Sequence, residues 1–320
     1  MTGGTGYVGS HIIRQLEESG KKVVALVRSK EKAEKALVGA KAKLVYGSVL
    51  NTEDLEKLFD VYPNAQFCFI HTASIVNLGR QRKQVKEMYR TNIDGVKNVI
   101  EVCKKHKARL LYVSSVHAIP EGKRRGLITE IADFDAKKVV GDYAKSKAQA
   151  SRLVMDAVKG GLDAVLVHPS GIVGPGDFSD THMTQMVEDY RDGRIPAAVK
   201  GGYDFVDVRD VAAGTILACE KGKSGECFLL TNKNYSVKEM FDILNELKVG
   251  KKVRLCMPMF IAKLSLPFLG LYFKVRRKRP LYNSYSLYTL RSNSNFSHER
   301  ATQELGYKPR ELRESLKDMI

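Results

Sequence analysis

Through the first two hundred residues, short apolar runs alternate with segments whose apolar positions recur at helical spacing. The runs KVVALVR (22–28), AKLVYG (42–47), FCFIHTA (67–73), RLLYVSS (109–115) and DAVLVHP (163–169) read as strands. Between them, NTEDLEKLF and TNIDGVKNVIEVCKKH read as helices. This alternation predicts an α/β fold of Rossmann type, a doubly wound parallel sheet with helices on both faces. From about residue 176 the pattern loosens, returns in YDFVDVRDVAAGTILACEKG and ECFLLTN, and then runs to the end in helices and loops. The expected organisation is a dinucleotide-binding domain at 1–175 and 203–232, and a smaller substrate-binding subdomain at 176–202 and 233–320. No internal repeat or low-complexity segment interrupts it.

The opening stretch, MTGGTGYVGSHIIRQL, places Gly3, Gly6 and Gly9 ahead of a helical pattern carried by Ile12, Ile13 and Leu16 and stopped by Gly20. Glycines at this spacing let the backbone turn tightly and approach a pyrophosphate, which sits on the N–H groups of the helix start. In such a fold a buried strand precedes the turn, yet only Met1 and Thr2 stand before Gly3. The expectation is that this first strand is missing from the sequence and lies upstream.

A second chemical signal is GDYAKSKAQASRLVMDAV, in which Tyr143 and Lys147 lie four apart and share one face of a helix. A phenol there can exchange a proton with a substrate oxygen, and a nearby ammonium favours the phenolate. Ser114 and Ser115 end a predicted strand at the edge of the sheet where open α/β proteins bind ligands, so a hydroxyl is available to orient the reacting oxygen.

Composition narrows the picture. With 43% hydrophobic and 28% charged residues, the chain is an ordinary globular one. Five cysteines (Cys68, Cys103, Cys219, Cys227, Cys256) form no C-x-x-C pair, which indicates neither a disulfide framework nor a metal site. A reducing cytoplasm is the expected compartment, and no signal peptide is expected at the start. The net charge of +17 raises anionic ligands, acidic membranes and nucleic acid as partners. The apolar stretch LCMPMFIAKLSLPFLGLYF (255–273) approaches the length of a membrane span, but Pro258, Lys263, Pro267 and Gly270 interrupt it, and the basic run 274–279 follows. The expected reading is a solvated charge run beside core helices, with a weak membrane-surface contact as the alternative and no nucleic-acid partner.

Taken in order, TGGTGYVG, FIHTAS, YVSSVHAI, YAKSK, VHPSGIVGPGD and FVDVRDVAAG resemble the extended short-chain dehydrogenase/reductase family, within the NAD-dependent epimerase/dehydratase superfamily. The resemblance covers nearly the whole chain, including the closing ATQELGYKPRELRESLKDM. It implies Tyr143 as catalytic acid/base, Lys147 as the residue that binds the nicotinamide ribose and lowers the Tyr pKa, and Ser115, the second of the S-S pair, as the contact to the substrate oxygen. It also implies that Gly3, Gly6 and Gly9 cradle the pyrophosphate, that Thr72 and Ala73 line the cofactor cleft, and that Pro169 lines the nicotinamide pocket. His168 stands where the family often has Arg, and a strand-end role without chemistry is expected for it.

Charge bears on the choice of cofactor. The second strand of such a fold ends here in Arg28, with Ser29 and Lys32 close by, where an acidic residue would bind a ribose 2′-hydroxyl. A cation and hydroxyl donors fit a 2′-phosphate, so NADP is expected, with NAD as the other possibility. The family's G-D pair after the third strand is replaced by Gly47 and Ser48.

SSVHAIP and VHPSGIVGP lack the Tyr-Gly and Asn marks of sugar-nucleotide epimerases and look more like dihydroflavonol reductases and 3β-hydroxysteroid dehydrogenases. The expected activity is therefore oxidoreduction between a carbonyl and a secondary alcohol on a bulky, apolar substrate, by a monomer or homodimer. Aromatics of the C-terminal third (Phe260, Phe268, Tyr272, Phe273, Tyr282, Tyr285, Tyr288) are candidates for the pocket wall or the core. A nucleotide-sugar epimerase or dehydratase and a redox-silent dinucleotide-binding protein are the alternatives.

Overall fold

The structure is a computed structural model that describes the 320-residue chain except residues 78–80, 124–125, 180, 276–281 and 283; the side chains of 268–275 also lie outside the described residues. The first half alternates α1 (Tyr7–Glu18), β1 (Val24–Val27), α2 (Lys30–Ala36), β2 (Lys43–Tyr46), α3 (Thr52–Asp60), β3 (Cys68–His71), α4 (Arg82–Tyr89), α5 (Gly95–Lys105), β4 (Arg109–Val113), α6 (Asp142–Lys159) and β5 (Ala164–Pro169). The second half holds β6 (Gly171–Val173), α7 (His182–Arg191), β7 (Ala198–Val199), β8 (Gly202–Asp207), α8 (Val208–Lys221), β9 (Cys227–Leu230) and β10 (Lys233–Ser236). It closes with α9 (Val237–Glu246), β11 (Cys256–Met257), α10 (Met259–Val275), α11 (Ser284–Thr289) and α12 (Leu312–Lys317). All five sequence-predicted strands of the first half form.

β1, β5 and β9 are buried along their whole length, which is why they read as unbroken apolar runs rather than as an alternation. The edge strand β2 is largely exposed instead. In the main sheet β1 pairs with β2, and β3, β4, β5 and β9 follow one another, every pair parallel. Thr2 bridges Leu26 on one side and His71 on the other, so residues 1–2 hold the central position between β1 and β3. Towards the opposite ends of these two strands a cavity of about 70 Å³ separates them, lined by Met1, Val24, Cys68 and Phe69 among others. Two apolar clusters pack the two faces of the sheet. One gathers Leu55, Val99 and Val154 from α3, α5 and α6, and the other Ile12, Ile13 and Val211 from α1 and α8.

β8 pairs with β6 and β10 in a separate three-stranded sheet, and β7 pairs with β11. The FVDVRDVAAG segment ties these parts to the C-terminus. Asp207 caps α8 by accepting from the Arg209 N–H at 2.7 Å, and the Arg209 guanidinium also reaches Asp318 at 2.6 Å. Arg310 pairs with Asp210 at 2.8 Å.

One expectation is corrected. Cys68, at the start of β3, and Cys219, on α8, form a disulfide across a sequence separation of 151 residues. No spacing rule reports such a pair, because only the packing of α8 beneath the sheet brings the two sulfurs together. The reading of five unpaired thiols, on which the reducing compartment rested, does not hold for these two.

Candidate active site

The Gly-rich turn leaves the sheet beside Thr2, where strand order runs one way to β1 and the other to β3, the position at which open α/β sheets form a ligand crevice. Gly3 has a φ of +75°, and a Cβ there would stand 2.4 Å from Thr72 Oγ1 and 2.6 Å from the Ala73 nitrogen. A Cβ on Gly9 would stand 2.1 Å from the Gly3 carbonyl oxygen. A side chain at Gly3 would push the turn off the loop that follows β3, and one at Gly9 would collide with the turn itself. Gly6 is the N-cap of α1, with no capping side chain and no acidic residue in the first turn, so backbone donors and the positive end of the helix are presented to an anion. A dinucleotide pyrophosphate fits this cradle. Thr72 donates its hydroxyl to the Thr2 carbonyl at 2.9 Å, which fixes the loop after β3 against the turn.

Arg28 lies exposed one residue beyond β1, and Ser29 caps α2 by accepting from the Lys32 N–H at 3.2 Å. At Gly47–Ser48, where the sequence lacks the family's Asp, the Asp54 carboxylate of α3 accepts from the Ser48 N–H at 3.0 Å. Pro169, the buried end of β5, is in register with Leu230 of β9. His168 beside it is fully buried, stacks on Phe134 with ring centroids 5.3 Å apart, and burial pushes its pKa down to about 3. It is a neutral core residue.

Ser115, Tyr143 and Lys147 come together at the carboxyl edge of β4, and all three are buried, at 6%, 9% and 3% exposure. Tyr143 and Lys147 lie in the first turns of α6, whose N-terminus Gly141 sets. The Lys147 ammonium donates to the Val113 carbonyl at 2.9 Å and stands 5.1 Å from the centre of the Tyr112 ring. Burial lowers its pKa to about 7. Burial raises the Tyr143 phenol to about 12, and the Ser115 hydroxyl beside it offsets part of that rise. In the chain alone, desolvation of the phenolate is the largest influence on Tyr143 and outweighs the Ser115 hydroxyl. Ser114 faces elsewhere, its hydroxyl 2.7 Å from that of Ser151, which leaves Ser115 as the hydroxyl on the Tyr143 side.

Two residues of this region went unrecognised in the sequence. Ser115 caps a single 3₁₀ turn, Val116–Ala118, by accepting from the His117 N–H at 3.3 Å. That turn presents the half-buried His117 ring edge-on to Tyr143, centroids 6.0 Å apart. Nε2 of His117 lies 3.3 Å from the Tyr203 hydroxyl of β8, and Nδ1 lies 3.3 Å from the Tyr285 hydroxyl of α11. Burial depresses its pKa to about 4, so the ring is neutral, accepting through one nitrogen and donating through the other. A cavity of about 190 Å³ opens here, lined by His117, Tyr203, Tyr285, Tyr288, Glu121, Asn293, Phe296, Val139 and Ala144 among others. Tyr288 donates to the Glu121 carboxylate at 2.5 Å.

The other is Asn92, buried in a π turn, Arg90–Asp94, between α4 and α5. Its carboxamide accepts from the Ile75 N–H at 2.8 Å and donates to the Ile75 carbonyl at 3.0 Å and to the Ser146 hydroxyl at 3.0 Å. Ser146 donates in turn to the Tyr143 carbonyl at 2.8 Å. Asn92 thus clips the loop after β3 to the helix of Tyr143 and Lys147. A polar residue at a helix position surrounded by apolar ones was the available signal.

Of the C-terminal aromatics, Tyr285 and Tyr288 line the cavity. Tyr282 joins the cluster around α10. Phe260 is 65% exposed and is not among the residues that line the pocket. The side chains of Phe268, Tyr272 and Phe273, and the basic residues 276–279, lie outside the described residues.

The chain belongs to the NAD dependent epimerase/dehydratase family, whose model matches residues 1–231. It is 30% identical to the sterol demethylase protein B of Methylococcus capsulatus, an alignment that covers all of this chain and 96% of that one. It is 29% identical to a putative dihydroflavonol 4-reductase of Synechocystis, covering all of this chain and 92% of the relative. Among solved structures, that of gox2253 matches with a TM-score of 0.82 at 27% identity, covering 99% of this chain and 95% of the other.

Proposed function

We propose that this chain is an NADP-dependent oxidoreductase that interconverts a carbonyl and a secondary alcohol on a bulky, largely apolar substrate, in a division of labour between residues 1–175 with 203–232 and the remaining segments. The observation that carries the reading is the buried convergence of Ser115, Tyr143 and Lys147 at the sheet edge beside a Cβ-free cradle. Gly3, Gly6 and Gly9, with Thr72, Ala73 and Pro169, would hold the dinucleotide, Arg28 its 2′-phosphate, and Lys147 its ribose. When bound, the dinucleotide supplies or accepts the hydride.

The chain's own residues handle the oxygen. In the reductive direction the Tyr143 phenol, protonated at neutral pH because burial raises its pKa to about 12, gives its proton to the carbonyl oxygen. Ser115 donates a hydrogen bond to that oxygen and aligns it with the phenol. Lys147, its pKa depressed to about 7, is poised to hold charge near the phenolate that remains. The cavity beside His117 would receive the substrate body, and its mixed lining suits an apolar skeleton bearing a further hydrogen-bonding group. The names of the relatives, a sterol demethylase protein and a dihydroflavonol 4-reductase, agree with substrates of that kind.

The test is consumption of NADPH and of NADH with a panel of sterol-, flavonoid- and simple ketone substrates, with UDP-glucose as the epimerase arm. Tyr143→Phe should lower turnover by roughly 10²–10⁴-fold while leaving dinucleotide affinity unchanged, since it removes the proton-carrying oxygen and keeps the ring. A variant that turns over at the parental rate would refute the role of Tyr143. Conversion of UDP-glucose without net dinucleotide consumption would replace the oxidoreductase reading.

A further inference from the structure

The basic balance of the chain is not spread evenly. Residues 247–298 contain eleven Lys and Arg and no Asp or Glu, and so supply most of the net charge of +17. The same stretch carries a run of exposed apolar side chains: Leu255 at 66%, Phe260 at 65%, Ile261 at 42% and Leu264 at 68% exposure. On α10 the last three fall at i, i+1 and i+4, a single face, while Ala262 on the opposite face is fully buried against Leu287 of α11. Lys263 on α10 and Lys251, Lys252 and Arg254 in the segment that leads to it are exposed, and none pairs with a carboxylate among the described residues. Among the described residues no helix is long and apolar enough to cross a membrane.

We infer that the exposed face of α10 is a docking surface for an anionic bilayer, on which the helix lies parallel to the plane of the headgroups. Large aliphatic and aromatic side chains on one helix face, with unpaired cations on the same helix and in the segment before it, match both layers of such a surface, acyl chain below and phosphate above. A nucleic acid would use the cations and leave Phe260 and Leu264 in water, and a second copy of this chain would bring the same positive charge against itself. α10 packs on α11, whose Tyr285 and Tyr288 line the cavity, so docking would bring the pocket within one helix of the lipid. That last consequence rests on the functional reading above, whereas the docking itself does not.

The full chain has no tryptophan, so Phe260→Trp introduces a sole reporter on the proposed face. With vesicles of equal parts phosphatidylcholine and phosphatidylglycerol at low salt, its emission should shift to the blue and the protein should float with the vesicles. Both effects should fade as salt screens the charges, and pure phosphatidylcholine should give neither. In the parent, Leu264→Asp should weaken binding by roughly tenfold or more, because it places a charge against the headgroup boundary. Lys251→Glu with Lys252→Glu should do the same through the electrostatic part, each lost cation counting for about a fivefold change in affinity. All of these positions are exposed, and an unchanged melting temperature would verify that the variants fold. Absence of flotation with anionic vesicles would overturn the inference. So would flotation that Leu264→Asp leaves untouched, a reporter that stays in water while the protein floats, or binding to a DNA duplex in preference to the vesicles. Carbonyl reduction in solution is read separately, so loss of vesicle binding with retained turnover sinks the docking surface alone.

Discussion

The carboxyl edge of the main sheet and the aromatic wall opposite it are built in different ways. At the edge, Thr72, Ser115 and Pro169 each sit within two residues of a buried parallel strand, and their positions follow from the backbone ladder. The wall is assembled from side chains of separate elements: His117 from a 3₁₀ turn, Tyr203 from β8, Tyr285 and Tyr288 from α11. A ladder fixes geometry through many identical hydrogen bonds and tolerates little adjustment. A wall of rings held by single contacts near 3.3 Å can be re-cut by one substitution. Reaction and cofactor belong to the first kind of construction in our reading, and choice of substrate to the second.

That division can be broken by experiment. The largest effect is expected from Arg28→Asp, at the end of β1. Exchanging a charge-assisted donor for a carboxylate should move the ratio of NADP to NAD affinity towards NAD by roughly a hundredfold, with the ranking of carbonyl substrates unaltered. Titration of both dinucleotides measures the first effect and a substrate panel the second; a changed substrate ranking would show the two regions to be one.

A smaller effect, confined to the wall, is expected from His117→Ala. It removes a neutral ring that holds two tyrosine hydroxyls and should raise KM by about tenfold while kcat changes far less and dinucleotide affinity stays constant. A fall in kcat with KM preserved would instead make His117 part of the proton chemistry.

The last effect is of another kind, on stability rather than on binding, and concerns Lys147. Its pKa is about 7 in the folded protein against 10.5 for an ordinary lysine, so between those values the unfolded chain binds more protons than the folded one. Stability from this group therefore rises with pH across that window and is lowest below pH 7. Lys147→Met should abolish this rise, leaving the variant more stable than the parent near neutrality, with the difference shrinking towards pH 10. Thermal melts across the window test it, and parallel curves would mean that the ammonium is not desolvated.

The class of fold was legible because burial on both faces leaves an unmistakable trace: VALV in β1 and AVLVHP in β5 have no polar alternation to mistake for a surface strand. The Tyr143–Lys147 pair was legible because helical spacing alone puts both on one face, and the Gly-rich turn because a cradle must lack Cβ atoms. These are local constraints, satisfied within a few residues of chain. What lay beyond the sequence was every feature made by contact between distant segments. His117 gains meaning only when Tyr203 and Tyr285, 86 and 168 residues further on, bring their hydroxyls to its two nitrogens. Cys68 and Cys219 meet only because α8 packs under the sheet. The desolvation of Tyr143 was not legible for the same reason: helical spacing shows the neighbouring ammonium but not the water excluded by the surrounding fold. Phe260 and Tyr285 are equally aromatic in the sequence, and only packing decided that one faces solvent and the other the pocket, because burial is a property of the whole surface and spacing a property of the chain.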